Sequence, residues 1–237
     1  MAGHRLPYMD VLLEARHVFR RHPDDRSWLL DDVSLALQAG DRLVLVGPSG
    51  AGKTLLLRTL AKLDPLDKGE VLFAGHPIRH DGVPQFRASA LYLHQRAALI
   101  ADTVEAALEH PYRLHAHRQQ RYDRGRAVEL LTSLARDAAF LQKTVGDLSG
   151  GEIQITALVR ALQLNPRILL LDEPTAALDG PTATMVERLI GSWLDEDSHR
   201  AMVWVSHNHE QARRVGRSIG TMESGRLVDL QAADALR

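Results

Sequence analysis

The chain has 237 residues, with 29 Lys and Arg against 30 Asp and Glu, 45% hydrophobic residues and no cysteine. This is the composition of a folded chain, long enough for one sizeable domain or a domain with an inserted lobe. A formal charge of −1 gives no global footprint of a nucleic-acid binder, and the lack of cysteine excludes disulfides, thiolate metal sites and a thiol nucleophile.

The longest apolar runs, residues 43–46, 97–101 and 168–171, are far shorter than the roughly 20 residues that span a bilayer, so no membrane crossing is expected. Residues 1–10 hold His4 and Arg5 but no apolar stretch, and do not read as a secretory signal. Residues 11–37 read as short strands about a polar turn at 22–27 that contains Pro23. Residues 43–46 form a buried-type strand between Gly40 and Gly47, and 54–63 follow with helical spacing at Leu56, Leu57, Leu60 and Leu63. A turn at 64–68 leads into a strand at 70–73, closing at Gly75. From 96 to 147 the Ala, Leu, Arg and Gln content predicts a mostly helical insert; the competing reading is a charged surface decoration without a fold of its own. Then come a helix over 150–164, a buried strand over 168–172, a helix over 181–194, a strand over 201–206 and a tail of short alternating pieces. Strands alternating with helices predict an α/β fold with a largely parallel sheet covered on both faces.

Three segments carry chemistry. Gly47, Pro48, Ser49, Gly50, Ala51, Gly52, Lys53 and Thr54 match the phosphate-loop pattern between a predicted strand and a predicted helix. Phosphate oxygens need many donors at close range; glycines let backbone N–H groups turn inward, and the helix adds its unpaired N–H groups and dipole. Lys53 then supplies charge to the β and γ phosphates and the Thr54 hydroxyl sits on Mg²⁺. The bland alternative is a chance glycine turn before a helix. Second, the apolar run 168–171 ends in Asp172 and Glu173, which should emerge beside the loop at the carboxyl end of a parallel sheet. Asp172 suits Mg²⁺ and Glu173 suits the water that attacks the γ-phosphate; in isolation the pair could be a solvated turn. Third, Leu148, Ser149, Gly150, Gly151 and Glu152 open a helix. Ser149 and Glu152 have capping-box spacing, so a plain helix start competes with an anion-approaching role for the two glycines.

Together these motifs resemble the nucleotide-binding subunit of an ABC transporter over about residues 11–230, with 96–147 as the helical insert. The resemblance implies a P-loop NTPase core with a mostly parallel sheet, an N-terminal antiparallel β subdomain and an inserted helical subdomain. It implies that Gln95 touches Mg²⁺ and links to the membrane partner, that Asp179 lies in the D-loop, and that His207 contacts the γ-phosphate. It further implies a homodimer formed on ATP binding, in which each ATP lies between one subunit's P-loop and the other's Ser149, Gly150 and Gly151. ATP and Mg²⁺ are the implied cofactors. The implied location is cytoplasmic, peripheral on the inner membrane through a separate multi-span permease. The pattern departs at the adenine-stacking aromatic: Phe19, His22 and Trp28 lie near the place, with His22 closest and no tyrosine.

The flanks at 102–104, 158–162 and 203–207 are most similar to the ATP-binding subunit of a two-component bacterial exporter implicated in iron efflux. The alternatives are an importer subunit for amino acids or another small solute, and a soluble ABC ATPase outside transport. A regulatory module without turnover and a P-loop kinase are further rivals. The interval between Thr54 and Leu148 lacks sustained heptads, which disfavours the chromosome-type members, and no nucleic-acid partner is expected. The pairs His115 with His117 and His207 with His209 read as solvated surface, since no metal-ligand set emerges at suitable spacing.

Overall fold

The structure is a computed structural model that describes residues 11–24 and 27–233. The reading of residues 1–10, and part of the turn at 22–27, lie outside the described residues. The first strands are longer than expected: β1 (Val11–Arg21) and β2 (Trp28–Gln38) are eleven residues each. They pair antiparallel, and β1 also pairs with β4 (Lys68–Phe73), which carries the short β5 (His76–Pro77), giving a sheet ordered β2-β1-β4-β5.

The second sheet has the order β10-β9-β3-β8-β7-β6, built from β3 (Arg42–Val46), β6 (Ala90–Leu93), β7 (Ile168–Asp172), β8 (Ala201–Val205), β9 (Ser218–Glu223) and β10 (Arg226–Ala232). All its pairings are parallel except β9 with β10. Every residue of β7 and β8 is buried, the mark of strands covered on both faces. The two-residue side-chain period divides them between two cores. Leu169, Leu171, Met202 and Trp204 face α5 (Gly150–Leu162) and α6 (Gly180–Asp195). Ile168, Leu170, Val203 and Val205 face α1 (Lys53–Leu60) and the antiparallel sheet.

The sequence reading has no element between Gly75 and Gln95, where the structure has β5, a 3-10 turn at His80–Gly82, α2 (Val83–Ser89) and the four-residue β6. Residues 96–147 contain α3 (Val104–Glu109), α4 (Arg124–Thr132) and short 3-10 turns. Leu108, Leu130, Leu134, Phe140 and Leu141 in this stretch are buried in the same core as Leu158 of α5, so it is packed rather than decorative. Helix starts follow side-chain chemistry. Thr103, Asp123 and Asp179 accept N–H groups of the first turns of α3, α4 and α6, and Asn208 does so for α7 (His209–Val215).

Candidate functional site

Strand β3 runs into the phosphate loop, where Gly47, Gly50 and Gly52 all take positive φ. At Gly47 the reason is doubled: φ is +140°, and a Cβ would lie 2.1 Å from the Met222 carbonyl oxygen, so no other residue fits. Helix α1 then begins with no side-chain cap and no acidic residue in its first turn, leaving its N–H groups and positive dipole end to an anion. Lys53 is buried, and its Nζ donates to the carbonyls of Gly47 and Pro48 at 2.7 and 2.8 Å. Burial pulls its pKa below the usual lysine value, while the charges of Glu173 and Asp172 oppose the shift. The loop opens on a cleft of about 620 Å³ lined by residues 49–55, Trp28, Leu29, Arg58, Gln95, Glu173, Ser224 and Gly225.

The carboxyl end of β7 delivers both acids here. Asp172 is 1% exposed and accepts the Thr54 hydroxyl at 3.0 Å and the Tyr92 hydroxyl at 3.0 Å, one on each oxygen. Burial and the Asp172 charge push the Tyr92 phenol far above its ordinary pKa. Glu173 sits at φ +46°, a left-handed conformation that costs a non-glycine residue free energy. Its backbone N–H is tied to Val205 of β8 at 3.2 Å, while Gln95 Nε2 donates to Oε2 at 3.1 Å and His207 Nδ1 meets the same oxygen at 3.3 Å. The strand end thus gathers Thr54, Gln95, Asp172, Glu173 and His207 around one place. Behind it, Gln211 locks the tips of β7 and β8. Its Oε1 accepts from Ser206 at 2.8 Å, and its Nε2 donates to Thr175 at 2.9 Å and to Glu187 at 2.8 Å.

Thr54 and Asp172 offer hard oxygen ligands, and among the described residues Asp172 has no Lys, Arg or His in ion-pair contact. A buried carboxylate beside a hydroxyl, with Lys53 and Arg58 acting on it only at longer range, fits a small divalent cation. Among the described residues no cluster of three or more His, Cys, Asp or Glu gathers to hold a metal. A Mg²⁺ that takes most of its ligands from phosphate and water needs none.

The 148–152 segment behaves differently. Ser149 and Glu152 form the full capping box: the Ser149 hydroxyl accepts the Glu152 N–H, and the Glu152 carboxylate accepts the Ser149 N–H at 2.9 Å. Lys143 at 2.6 Å and the Ser149 N–H hold Glu152 down to a pKa of about 2. None of residues 148–152 lines the P-loop cleft. A side chain at Gly151 would come within 3.2 Å of the Ala177 carbonyl and 3.3 Å of Leu178, so glycine lets the start of α5 approach the segment leading to Asp179. Asp179 itself caps α6 through the Thr182 N–H at 2.7 Å, which lowers its pKa.

Of the three aromatic candidates only Trp28 lines the cleft; His22, the one nearest the expected position, and Phe19 do not. Trp28 stands opposite Arg21 across the β1–β2 pairing, with the guanidinium 4.5 Å from its ring centroid and Phe19 tilted at 5.2 Å. The sequence reading missed Tyr92 and Gln211. For Tyr92 the available signal is a hydroxyl-bearing aromatic inside the apolar run just ahead of Gln95.

Among solved structures, the fold is similar to the dimeric structure of an ATP-binding cassette in a post-hydrolysis state bound to ADP and Pi. The TM-score is 0.84 at 27% identity over 94% of this chain and 99% of that one. Among curated relatives, an ABC transporter ATP-binding protein, YjkB of Bacillus subtilis, is 37% identical over 207 residues, 87% of this chain and 80% of the relative. The sulfate/thiosulfate import ATP-binding protein CysA of Bordetella parapertussis is 34% identical over 218 residues, 91% of this chain. The chain spans 60% of that relative's length. The family model described as ABC transporter matches residues 30–176, and with the site's geometry and these likenesses it follows that the chain belongs to the ABC transporter family.

Proposed function

We propose that this chain is the ATP-hydrolysing subunit of a membrane transporter and works as a nucleotide-sandwiched dimer. The observation that carries the reading is the convergence of Thr54, Asp172, Gln95, Glu173 and His207 beyond one strand end, beside an uncapped helix N-terminus. Lys53 and the amides of residues 47–54 hold the β and γ phosphates. Thr54, Gln95 and Asp172 would hold Mg²⁺, which when bound supplies charge neutralisation at the phosphates. Glu173 orients and deprotonates the attacking water, with Gln95 and His207 fixing its carboxylate and His207 placed for the γ-phosphate. Trp28 walls the adenine side of the cleft.

Within the 148–152 segment, Ser149, Gly150 and Gly151 act on the nucleotide of a second copy, which explains why they stand outside the cleft of their own chain. The γ-phosphate then contributes binding free energy only to the closed dimer, and its loss opens the interface. The pathway for solute belongs to a permease subunit, with this chain at its cytoplasmic face, a reading supported by the transport named for the relatives. No helix among the described residues is long and apolar enough to cross a membrane. A groove of about 470 Å³ along β6, lined by Leu91, Pro111, Leu114, Ala157 and Ala161, supports docking of that permease.

The import named for the CysA relatives supports solute uptake. A second reading, iron efflux, rests on the flanks at 102–104, 158–162 and 203–207. Vesicles carrying the chain with its permease distinguish the two by the side on which solute accumulates. For the ATPase itself, Glu173→Gln should bind ATP as wild type does but release phosphate at least about 100-fold more slowly. Equal rates would remove Glu173 from the base role.

A further inference from the structure

The two oxygens of Asp172 are held by two neutral hydroxyls, Thr54 on Oδ1 and Tyr92 on Oδ2. The proposed function gives Thr54 to the metal, which leaves Tyr92 as the group that fixes how the carboxylate is turned. Backbone pairing places it there. Strand β6 runs parallel to β7 with Tyr92 opposite Leu170, and Leu170 and Asp172 share one face of β7. Tyr92 therefore rises on the same face as Asp172. Its ring packs against the core that includes Leu170, and it meets His94 edge-on at 5.7 Å. The hydroxyl is thus carried by a paired strand rather than a loop, three residues ahead of Gln95, which holds the neighbouring Glu173.

We propose that Tyr92 is a positioning residue for the metal carboxylate: its phenol hydroxyl holds Asp172 Oδ2 and so presents the other oxygen toward Thr54 and the metal–nucleotide. The inference rests on the role proposed for Asp172. Groups that orient a metal ligand in this way are typically worth about 10- to 100-fold in metal affinity or activity.

The test compares equilibrium binding of radiolabelled ATP in Mg²⁺ and in EDTA, in a Glu173→Gln background that preserves the nucleotide. In Tyr92→Phe, which keeps the ring, the advantage of Mg-ATP over metal-free ATP should shrink about tenfold, while affinity in EDTA stays unchanged and the melting temperature falls only by the small amount that one lost hydrogen bond costs. In an Asp172→Asn background the Tyr92→Phe change should have no further effect. An unchanged Mg²⁺ advantage, an equal loss with and without Mg²⁺, or an undiminished effect in the Asp172→Asn background would overturn the proposal. If the parent chain binds no Mg-ATP at all, the ATPase reading fails instead, so the two failures are distinguishable.

Discussion

The carboxyl end of β7 and the amino end of α5 both carry residues assigned to the proposed nucleotide site, yet they are built in opposite ways. At the first, six side chains from four separate segments converge, and Asp172 and Glu173 are each gripped by two partners. At the second, Ser149 and Glu152 satisfy each other within one helical turn, Gly150 has open space where a Cβ would go, and nothing in the same chain's cleft reaches them. One surface is an assembled cluster of polar side chains; the other is a finished helix start outside its own chain's cleft. Under the proposed function each is half of a site, and two copies facing head to tail would complete it.

Gly150→Asp separates the two surfaces most sharply. A Cβ there meets no atom within 4 Å, and an acid in the first turn suits the helix dipole, so stability should stay within about 0.5 kcal/mol of wild type. Placed against a neighbour's γ-phosphate, the same carboxylate should cut the hydrolysis rate about 100-fold or more while leaving single-chain ATP binding intact. Melting curves, filter binding and phosphate release measured side by side decide it. A normal rate would mean that the α5 start is a helix cap and nothing more.

A smaller effect is expected on the cleft side. Trp28 lines the cleft, whereas Trp193 and Trp204 are 2% and 0% exposed, so nucleotide-dependent quenching of tryptophan fluorescence should come from Trp28. Trp28→Ala should abolish that quenching and weaken ATP binding about 3- to 10-fold, the size of one aromatic stacking contact. Retained quenching would move the adenine elsewhere.

Smallest is the contribution of the Glu152 charge. Its pKa of about 2 in the fold, against an ordinary 4.5, is depressed by Lys143 and the Ser149 N–H. A depressed acid stabilises the fold above about pH 4.5, and that share is lost as pH falls towards 2. The pair lies near the surface, so less than about 1 kcal/mol is at stake. Glu152→Gln should flatten the acid side of the stability profile by that amount and leave neutral-pH hydrolysis nearly untouched. A large loss of hydrolysis would assign the carboxylate a role beyond the cap.

The same contrast explains what could be read before folding. The phosphate loop is legible because its geometry admits few residues: Gly47 has no room for a Cβ, and Lys53 and Thr54 must follow at fixed spacing. The strand at 168–172 is legible because burial on both faces demands an unbroken apolar run. Gln95 and His207 are different. They reach Glu173 from 78 and 34 residues away, so no local pattern marks them and only family resemblance points there. Strand β6 and Tyr92 escape because four residues on a sheet edge, preceded by a seven-residue helix, are too few for periodicity to register. Trp28 differs again: it projects from the start of β2 beside a turn, where the choice among three aromatics depends on which ring faces the cleft.

The central claim, that nucleotide joins two copies through their unlike surfaces, is tested most directly by analytical ultracentrifugation of Glu173→Gln saturated with Mg-ATP. The account predicts a dimer that reverts to monomer when ATP is replaced by ADP, and that fails to form when Gly150→Asp is added. A monomer in saturating Mg-ATP, or a dimer indifferent to both changes, would contradict it.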